Sequence, residues 1–347
     1  MSTNKISRRN FLQKTAVTTG VASLGTLGMA NDSFLKREPE IKNHREVWIA
    51  GFSQMDVDEE TSELMIERVL NMLKEVVPYK PDFVCLPEVF PFANVEKKTN
   101  VAERLEISKT VLEKFSEFSK VNNCYTICPV LTSDNGKSYN SAVVFNRKGE
   151  KIGVYNKIHL TEGEIAKGLS CGPLIQPAIQ TEYGPIGVQI CFDIEWDDGW
   201  TMLRDQGAEI IFWPSAFAGG IMVNTKAWQH KCVVVSSTNK NTSKLCDISG
   251  EVIASTGLWN KHLFCAPVNL EKVFLHLWPY VYRYKEIQRK YGRKVKITSY
   301  HEEEWTVIES LSTDVRVKDI IKEFELKTHE ELMKGSEIVQ IKERGAL

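Results

Sequence analysis

The chain has 347 residues, with 44 Lys plus Arg against 45 Asp plus Glu and a formal net charge of −1. A content of 42% hydrophobic and 26% charged residues is that of an ordinary globular protein, which excludes collagen, a mucin stalk and a wholly disordered chain. The balanced charge argues against a nucleic-acid partner, and eight cysteines are too few for a disulfide scaffold.

Residues 1–30 carry Lys5, Arg8, Arg9 and Lys14 and no acid. A mild apolar stretch rich in Thr, Gly and Ala follows, from Thr15 to Ala30. It is shorter than the roughly 20 residues a bilayer span needs, so no stable membrane span is expected. A basic head, a weak apolar middle and small residues at Gly28 and Ala30 read as a cleavable export signal. The segment Ser7-Arg8-Arg9-Asn10-Phe11-Leu12-Gln13-Lys14 resembles the bacterial twin-arginine signal. That resemblance implies export of the folded precursor by the twin-arginine machinery, to the periplasm. Without those four bases the chain keeps 40 bases against 45 acids, a net charge of about −5. Cysteines that fold in a reducing cytoplasm are expected to stay free thiols.

Residues 31–44 read as a polar linker, and regular patterning begins near residue 45. Val47–Phe52 is expected to be a buried strand. Glu63–Val77 has helical apolar spacing and ends at Pro78. Asp82–Leu86 is a second strand, and Leu105–Phe118 a second helix. Strands follow at Tyr125–Leu131, Ala142–Asn146 and Lys151–Tyr155, the last two joined by a turn at Asn146–Gly149. The theme then repeats. Pro185–Cys191, Glu209–Trp213 and Val233–Ser237 read as strands, and Trp200–Gln206 and Thr225–Lys231 as helices. Ile248–Ala254 places a Ser-Gly turn between two short strands. Alternating strands and helices predict an α/β domain over residues 45–270. Residues 271–347 are about 38% charged, with helix-like stretches near Tyr280–Lys290 and Val315–Met333. Such a segment is expected to wrap the surface or contact another subunit.

No zinc-type cysteine pairing, no phosphate loop, no dinucleotide-binding glycine pattern and no Gly-x-Ser-x-Gly elbow occurs, so no metal or cofactor is expected. What stands out is a reactive residue type at three strand ends: Glu88, Lys157 and Cys191. Taken singly these could be a solvated carboxylate, a surface lysine and an inert buried thiol. Together they supply a base for a thiol proton, an ammonium for a developing oxyanion and a nucleophile.

Leu86-Pro87-Glu88, Tyr155-Asn156-Lys157-Ile158-His159-Leu160 and Gly187-Val188-Gln189-Ile190-Cys191-Phe192-Asp193 resemble, in order, the three catalytic motifs of the nitrilase superfamily of carbon–nitrogen hydrolases. Tyr139–Val144 and Gly207–Pro214 resemble the strands before the lysine motif and after the cysteine motif. The resemblance implies a four-layer α-β-β-α sandwich and a homodimer or higher homo-oligomer. It implies that Glu88 is the general base, that Cys191 forms a thioester acyl-enzyme, and that Lys157 and the Phe192 N–H face the oxyanion. It also implies a second glutamate, for which Glu164 fits better than Glu162.

Nitrilases of this superfamily typically have Trp-Glu after the cysteine, where this chain has Phe192-Asp193. The departure favours hydrolysis of a small amide or carbamoyl compound. Nitrile hydrolysis and a non-catalytic binding or assembly role are the alternatives. Specificity is expected from the loops Phe90–Ala93, Glu195–Trp200 and Ser215–Gly220. Trp196, Trp200 and Phe217 are candidate pocket walls, and Ala216 and Phe217 candidate backbone contacts to substrate.

Overall fold

The structure is a computed structural model and describes residues 45–345. The export segment and the linker expected over 1–44 lie outside the described residues. In chain order the elements are β1 (Glu46–Phe52), α1 (Ser62–Leu73), β2 (Phe83–Cys85), α2 (Val101–Asn122), β3 (Tyr125–Asp134), β4 (Lys137–Phe145), β5 (Lys151–Asn156) and α3 (Glu162–Ala166). There follow β6 (Ile179–Thr181), β7 (Gly184–Val188), α4 (Asp198–Asp205), β8 (Ile210–Ser215), α5 (Ile221–His230), β9 (Val233–Thr238), β10 (Lys244–Cys246), β11 (Val252–Ser255) and β12 (Leu263–Asn269). The chain ends with β13 (Lys272–His276), α6 (Val281–Tyr291), β14 (Val295–Tyr300), β15 (Trp305–Ser310), α7 (Val317–Glu323) and α8 (His329–Glu343).

Two six-stranded sheets carry the domain, in the orders β12-β1-β2-β3-β4-β5 and β11-β10-β9-β8-β7-β6. Each has a parallel trio at its centre: β1, β2 and β3 in one, and β7, β8 and β9 in the other. Strand side chains alternate between faces, so each sheet has two apolar faces to cover. Val47, Ile49, Phe83 and Ile127 of the first sheet share a core with Val188, Ile210, Phe212 and Val235 of the second. The rings of Phe83 and Phe212 meet across the sheets at 5.3 Å. The opposite face of the first sheet, with Ala50, Phe52, Val84 and Val130, is covered by Met65, Ile66 and Val69 of α1 and by Val111 and Phe115 of α2. The opposite face of the second, with Ile211, Trp213 and Val234, is covered by Trp200 and Leu203 of α4 and by Val223 and Ala227 of α5. The order of layers is therefore α-β-β-α.

Local signals set most boundaries. Thr61 caps α1, and Asn100 and Glu103 form a reciprocal capping box on α2. The α2 helix runs past the expected Leu105–Phe118 at both ends. The β3–β4 hairpin turns at Asn135-Gly136, both at positive φ, a pairing the apolar pattern missed. At Gly187 a Cβ would lie 2.7 Å from Leu203 Cδ1, so the bare glycine lets α4 pack directly on β7.

Residues 271–347 were expected to form a charged wrap or subunit contact. Their described part builds a three-stranded sheet, β13-β15-β14, with a core of its own. Phe274 and Val307 face the inter-sheet core, while Leu275 and Ile308 face Tyr284, Ile287 and Ile320 from α6 and α7. The expected helix over Val315–Met333 is two helices. Glu325 adopts φ 50°, and Thr328 with Glu331 caps a new start. No helix among the described residues is long and apolar enough to cross a membrane.

Ile308 is fully buried in this small core. Ile308→Ala should lower the unfolding free energy by about 2–4 kcal/mol in urea titrations, as for a core cavity. A change under about 0.5 kcal/mol would return residues 271–347 to the status of a surface wrap.

Candidate active site

The three strand-end residues converge. Glu88 lies three residues beyond β2, Lys157 directly after β5, and Cys191 three residues beyond β7. The strand expected over Pro185–Cys191 stops at Val188, and Cys191 opens a 3₁₀ turn, Cys191–Glu195. All three side chains are buried, at 4%, 1% and 8% exposure, so none is a surface carboxylate or lysine.

Lys157 is the hub. Its Nζ donates to Glu88 Oε1 at 2.8 Å and to Glu164 Oε1 and Oε2 at 3.0 and 2.9 Å. Burial opposes the ammonium, but Glu88, Cys191 and Glu164 outweigh it and raise the Lys157 pKa. Glu164 responds in the opposite sense. Burial would raise its pKa, yet Lys157, Asn140 and Thr161 bring it below the usual value. Glu164 Oε2 also accepts from the Thr161 N–H and hydroxyl, at 2.9 and 3.0 Å. Both Glu164 oxygens are thereby committed. Glu162 is exposed, so the geometry selects Glu164 of the two.

The Cys191 thiol is pushed up to about 12, first by burial and then by the charge of Glu88. Lys157, the Ala216 N–H and the Ser215 hydroxyl pull the other way. Cys85 reaches a similar value by burial, with no ammonium among its causes. The arrangement thus holds a buried thiol, raised by its surroundings, beside the Glu88 carboxyl group and a fixed ammonium. It suits chemistry in which the proton leaves the thiol as the sulfur attacks.

Two strained corners aim these groups. Cys191 has φ 48° and Val89, next to Glu88, has φ 42°. A left-handed β-branched residue costs about 1–3 kcal/mol and needs outside support. The Asn239 amide holds the Glu88 carbonyl at 2.9 Å, and the Gln54 amide holds the carbonyls of Phe90 and Ala93 at 2.9 and 3.1 Å. On the other side, Trp213 Nε1 donates to the Cys191 carbonyl at 3.0 Å. Asp193 is fully buried and ties the two motifs together. It accepts from the Ile190 N–H at 2.8 Å, the Tyr155 hydroxyl at 2.8 Å and the His159 N–H at 2.7 Å. Burial pushes Asp193 up to about 6 against those three donors. Asn140, Asp193, Ser215 and Asn239 escaped the sequence reading as site residues. The available signals were that Asn140 and Asp193 fell inside quoted motifs and that Ser215 opened the expected Ser215–Gly220 loop.

The candidate pocket residues divide. Ala216 reaches the thiol through its N–H. Half-buried Phe192 meets the edge of Trp196, which stacks on His159 at 4.2 Å; His159 Nε2 lies 3.0 Å from Asp198 Oδ1. Phe217 packs edge-on against Trp213. Trp200 does not wall a pocket: it is fully buried in the sheet–helix core and stacks on His230. Phe90 and Phe92 of the expected Phe90–Ala93 loop are also buried, and Phe90 packs on Phe115. An aromatic residue near a strand end is as useful to the core as to a ligand, and sequence does not separate the two.

Comparison with known proteins gives the family. The NitFhit fusion protein (nitrilase and fragile histidine triad) of Drosophila melanogaster is 27% identical over 188 residues, covering 50% of this chain and 41% of the relative. The chain thus matches about two fifths of that fusion protein's length. A deaminated glutathione amidase of Dictyostelium discoideum is 24% identical over 229 residues, covering 58% of this chain and 78% of the relative. The crystal structure of a carbon-nitrogen hydrolase from Helicobacter pylori G27 aligns with TM-score 0.58 and 20% identity over 72% of this chain and 94% of that one. That likeness shows the shared fold. The family described as carbon-nitrogen hydrolase matches residues 49–274, from β1 to β13 and across all three motifs. The chain belongs to the carbon-nitrogen hydrolase family.

Proposed function

We propose that the chain hydrolyses a small, non-peptide amide or carbamoyl compound through a thioester on Cys191. The observation that carries this reading is the buried Lys157 ammonium, hydrogen-bonded to both Glu88 and Glu164 and electrostatically coupled to Cys191.

Glu88 takes the thiol proton as Sγ attacks the carbonyl carbon, giving a tetrahedral oxyanion. Lys157 faces that oxyanion together with the Phe192 N–H, which no carbonyl among the described residues accepts. Protonated Glu88 gives its proton to the leaving ammonia or amine as the C–N bond breaks. Water then attacks the thioester with Glu88 again as base, and the C–S bond breaks to release the acid and the thiol. Glu164, with both oxygens bonded, stays out of the proton traffic and holds the ammonium in place. The Phe192-Asp193 departure and the amidase relative favour an amide over a nitrile.

Location is part of the same proposal. Its support is the Ser7–Lys14 segment, which would direct the precursor through the twin-arginine route to the periplasm. The paired changes Arg8→Lys and Arg9→Lys should leave the precursor in the cytoplasm on cell fractionation. Unchanged periplasmic recovery would remove the export reading.

Ammonia release over a panel of amides, carbamoyl compounds and nitriles tests the chemistry. Cys191→Ala should lower turnover at least about 10³-fold, and the wild type should trap an acyl adduct visible by intact mass. Turnover surviving in Cys191→Ala would eliminate the thioester; a nitrile-only profile would select the alternative substrate class. The protonated resting thiol has its own signature. The thiolate absorbance lost in Cys191→Ala should grow in only well above neutral pH, and a full thiolate signal at neutral pH would displace Glu88 as base.

A further inference from the structure

The cluster holds two carboxylates, but one base is needed. Their division of labour is written in the hydrogen bonds of a residue with no assigned role, Asn140.

Asn140 lies in β4 and is buried. Its carbonyl accepts the Lys157 N–H at 2.9 Å, a strand-pairing bond that any residue would make. Its side chain does something particular. Nδ2 donates to Glu88 Oε1 and to Glu164 Oε1, both at 2.8 Å. Lys157 Nζ donates to the same two oxygens. Two nitrogens and two oxygens thus alternate around a closed ring. Glu88 Oε1 carries two donors, while Oε2 has no hydrogen bond among the described residues. Glu164 is loaded on both oxygens.

The other end of the amide argues against a purely structural role. Asn140 Oδ1 is buried and has no partner among the described residues. A buried asparagine kept for stability pairs both ends, because an unpaired acceptor is destabilising. Turning the amide over would set Oδ1 against two carboxylates. The network therefore fixes its orientation and tolerates the orphan oxygen.

We infer that Asn140 is a positioning residue that makes Glu88 the base and keeps Oε2 free for the thiol proton. Lys157 alone does not settle this. A carboxylate facing an ammonium can place both oxygens on it, as Glu164 does. Glu88 in that pose would occupy the oxygen that must accept the proton. The Asn140 donor pins Oε1 and prevents the rotation. The other titratable groups around the pair are Cys191 and Asp193, both coupled to Lys157. This inference rests on the proposed thioester reaction.

Two full-length variants test it. Asn140→Asp keeps the shape and removes the donor; Asn140→Leu keeps the bulk and removes both polar ends. Both retain the backbone bond to Lys157. Each should lower kcat about 10–100-fold and leave KM within about threefold, because a base out of place slows the chemical step more than binding. Each should also slow alkylation of Cys191 by iodoacetamide at neutral pH at least about tenfold, counted by intact mass against Cys191→Ala. Alkylation needs no turnover, so it judges Asn140 even if no amide on the panel is cleaved. Wild-type kcat and alkylation in either folded variant overturn the assignment, as do losses that only follow the unfolded fraction in thermal melts.

Discussion

A lysine ammonium at 1% exposure between two glutamates is the constraint from which the rest of the site follows. Charges taken out of water are costly unless each is paired and fully hydrogen-bonded. The chain meets that condition by bringing four segments to one point: the end of β2, the middle of β4, the end of β5 and the first turn of α3. None of these segments supplies a complete partner set alone. The pairing of β4 with β5 sets Asn140 beside Lys157, and the Thr161 cap of α3 turns Glu164 back toward both. The same capping box that starts a five-residue helix therefore also fixes a buried carboxylate.

The sandwich brings the thiol to this charged cluster. Glu88 belongs to one sheet's connections and Cys191 to the other's. Their meeting depends on the core between Phe83 and Phe212 and on bonds across the strand ends. Ser237 of β9 donates to the Cys85 carbonyl at 2.8 Å and accepts the Phe52 N–H at 3.1 Å. Such short polar ties hold register where apolar contacts alone would permit sliding. Against this rigid frame the left-handed corners at Val89 and Cys191 are sustained, and the strain turns two side chains out of their strands toward one another.

The small C-terminal sheet extends the same logic of covered faces. Phe274 and Val307 close one border of the inter-sheet core, and Lys231, at the end of α5, places its ammonium 4.3 Å from the Trp228 ring centroid and 4.4 Å from that of Phe274. Glu271 accepts from Arg316 and from the Val317 N–H, which anchors α7 to the β12–β13 junction. A segment rich in charge is thereby fastened by a few apolar and buried polar contacts.

Much of this was legible in the sequence. Period-2 and period-3.6 patterns located the central strands and the helices α1, α2, α4 and α5, because burial imposes those periods locally. Glu88, Lys157 and Cys191 stood out because reactive side chains at strand ends are conspicuous against apolar runs, and their motifs carried the family. Other features were not legible. The hairpin at Asn135-Gly136, the sheet over 272–310 and the orphan ends of Asn140 and Asn239 depend on which strands pair, and pairing is long-range. Trp200 was a candidate pocket wall and Phe90 opened a candidate specificity loop, since an aromatic side chain bears no mark of which face it will meet. By itself, then, the sequence determined the α/β class and singled out Glu88, Lys157 and Cys191 at strand ends. Only the tertiary structure decided that Glu164 and not Glu162 reaches Lys157, that Asn140 bridges the two carboxylates, and which oxygen of Glu88 stays free. A hydrogen bond is a matter of a few tenths of an ångström between segments far apart in the chain, and that distance exists only once both sheets have packed.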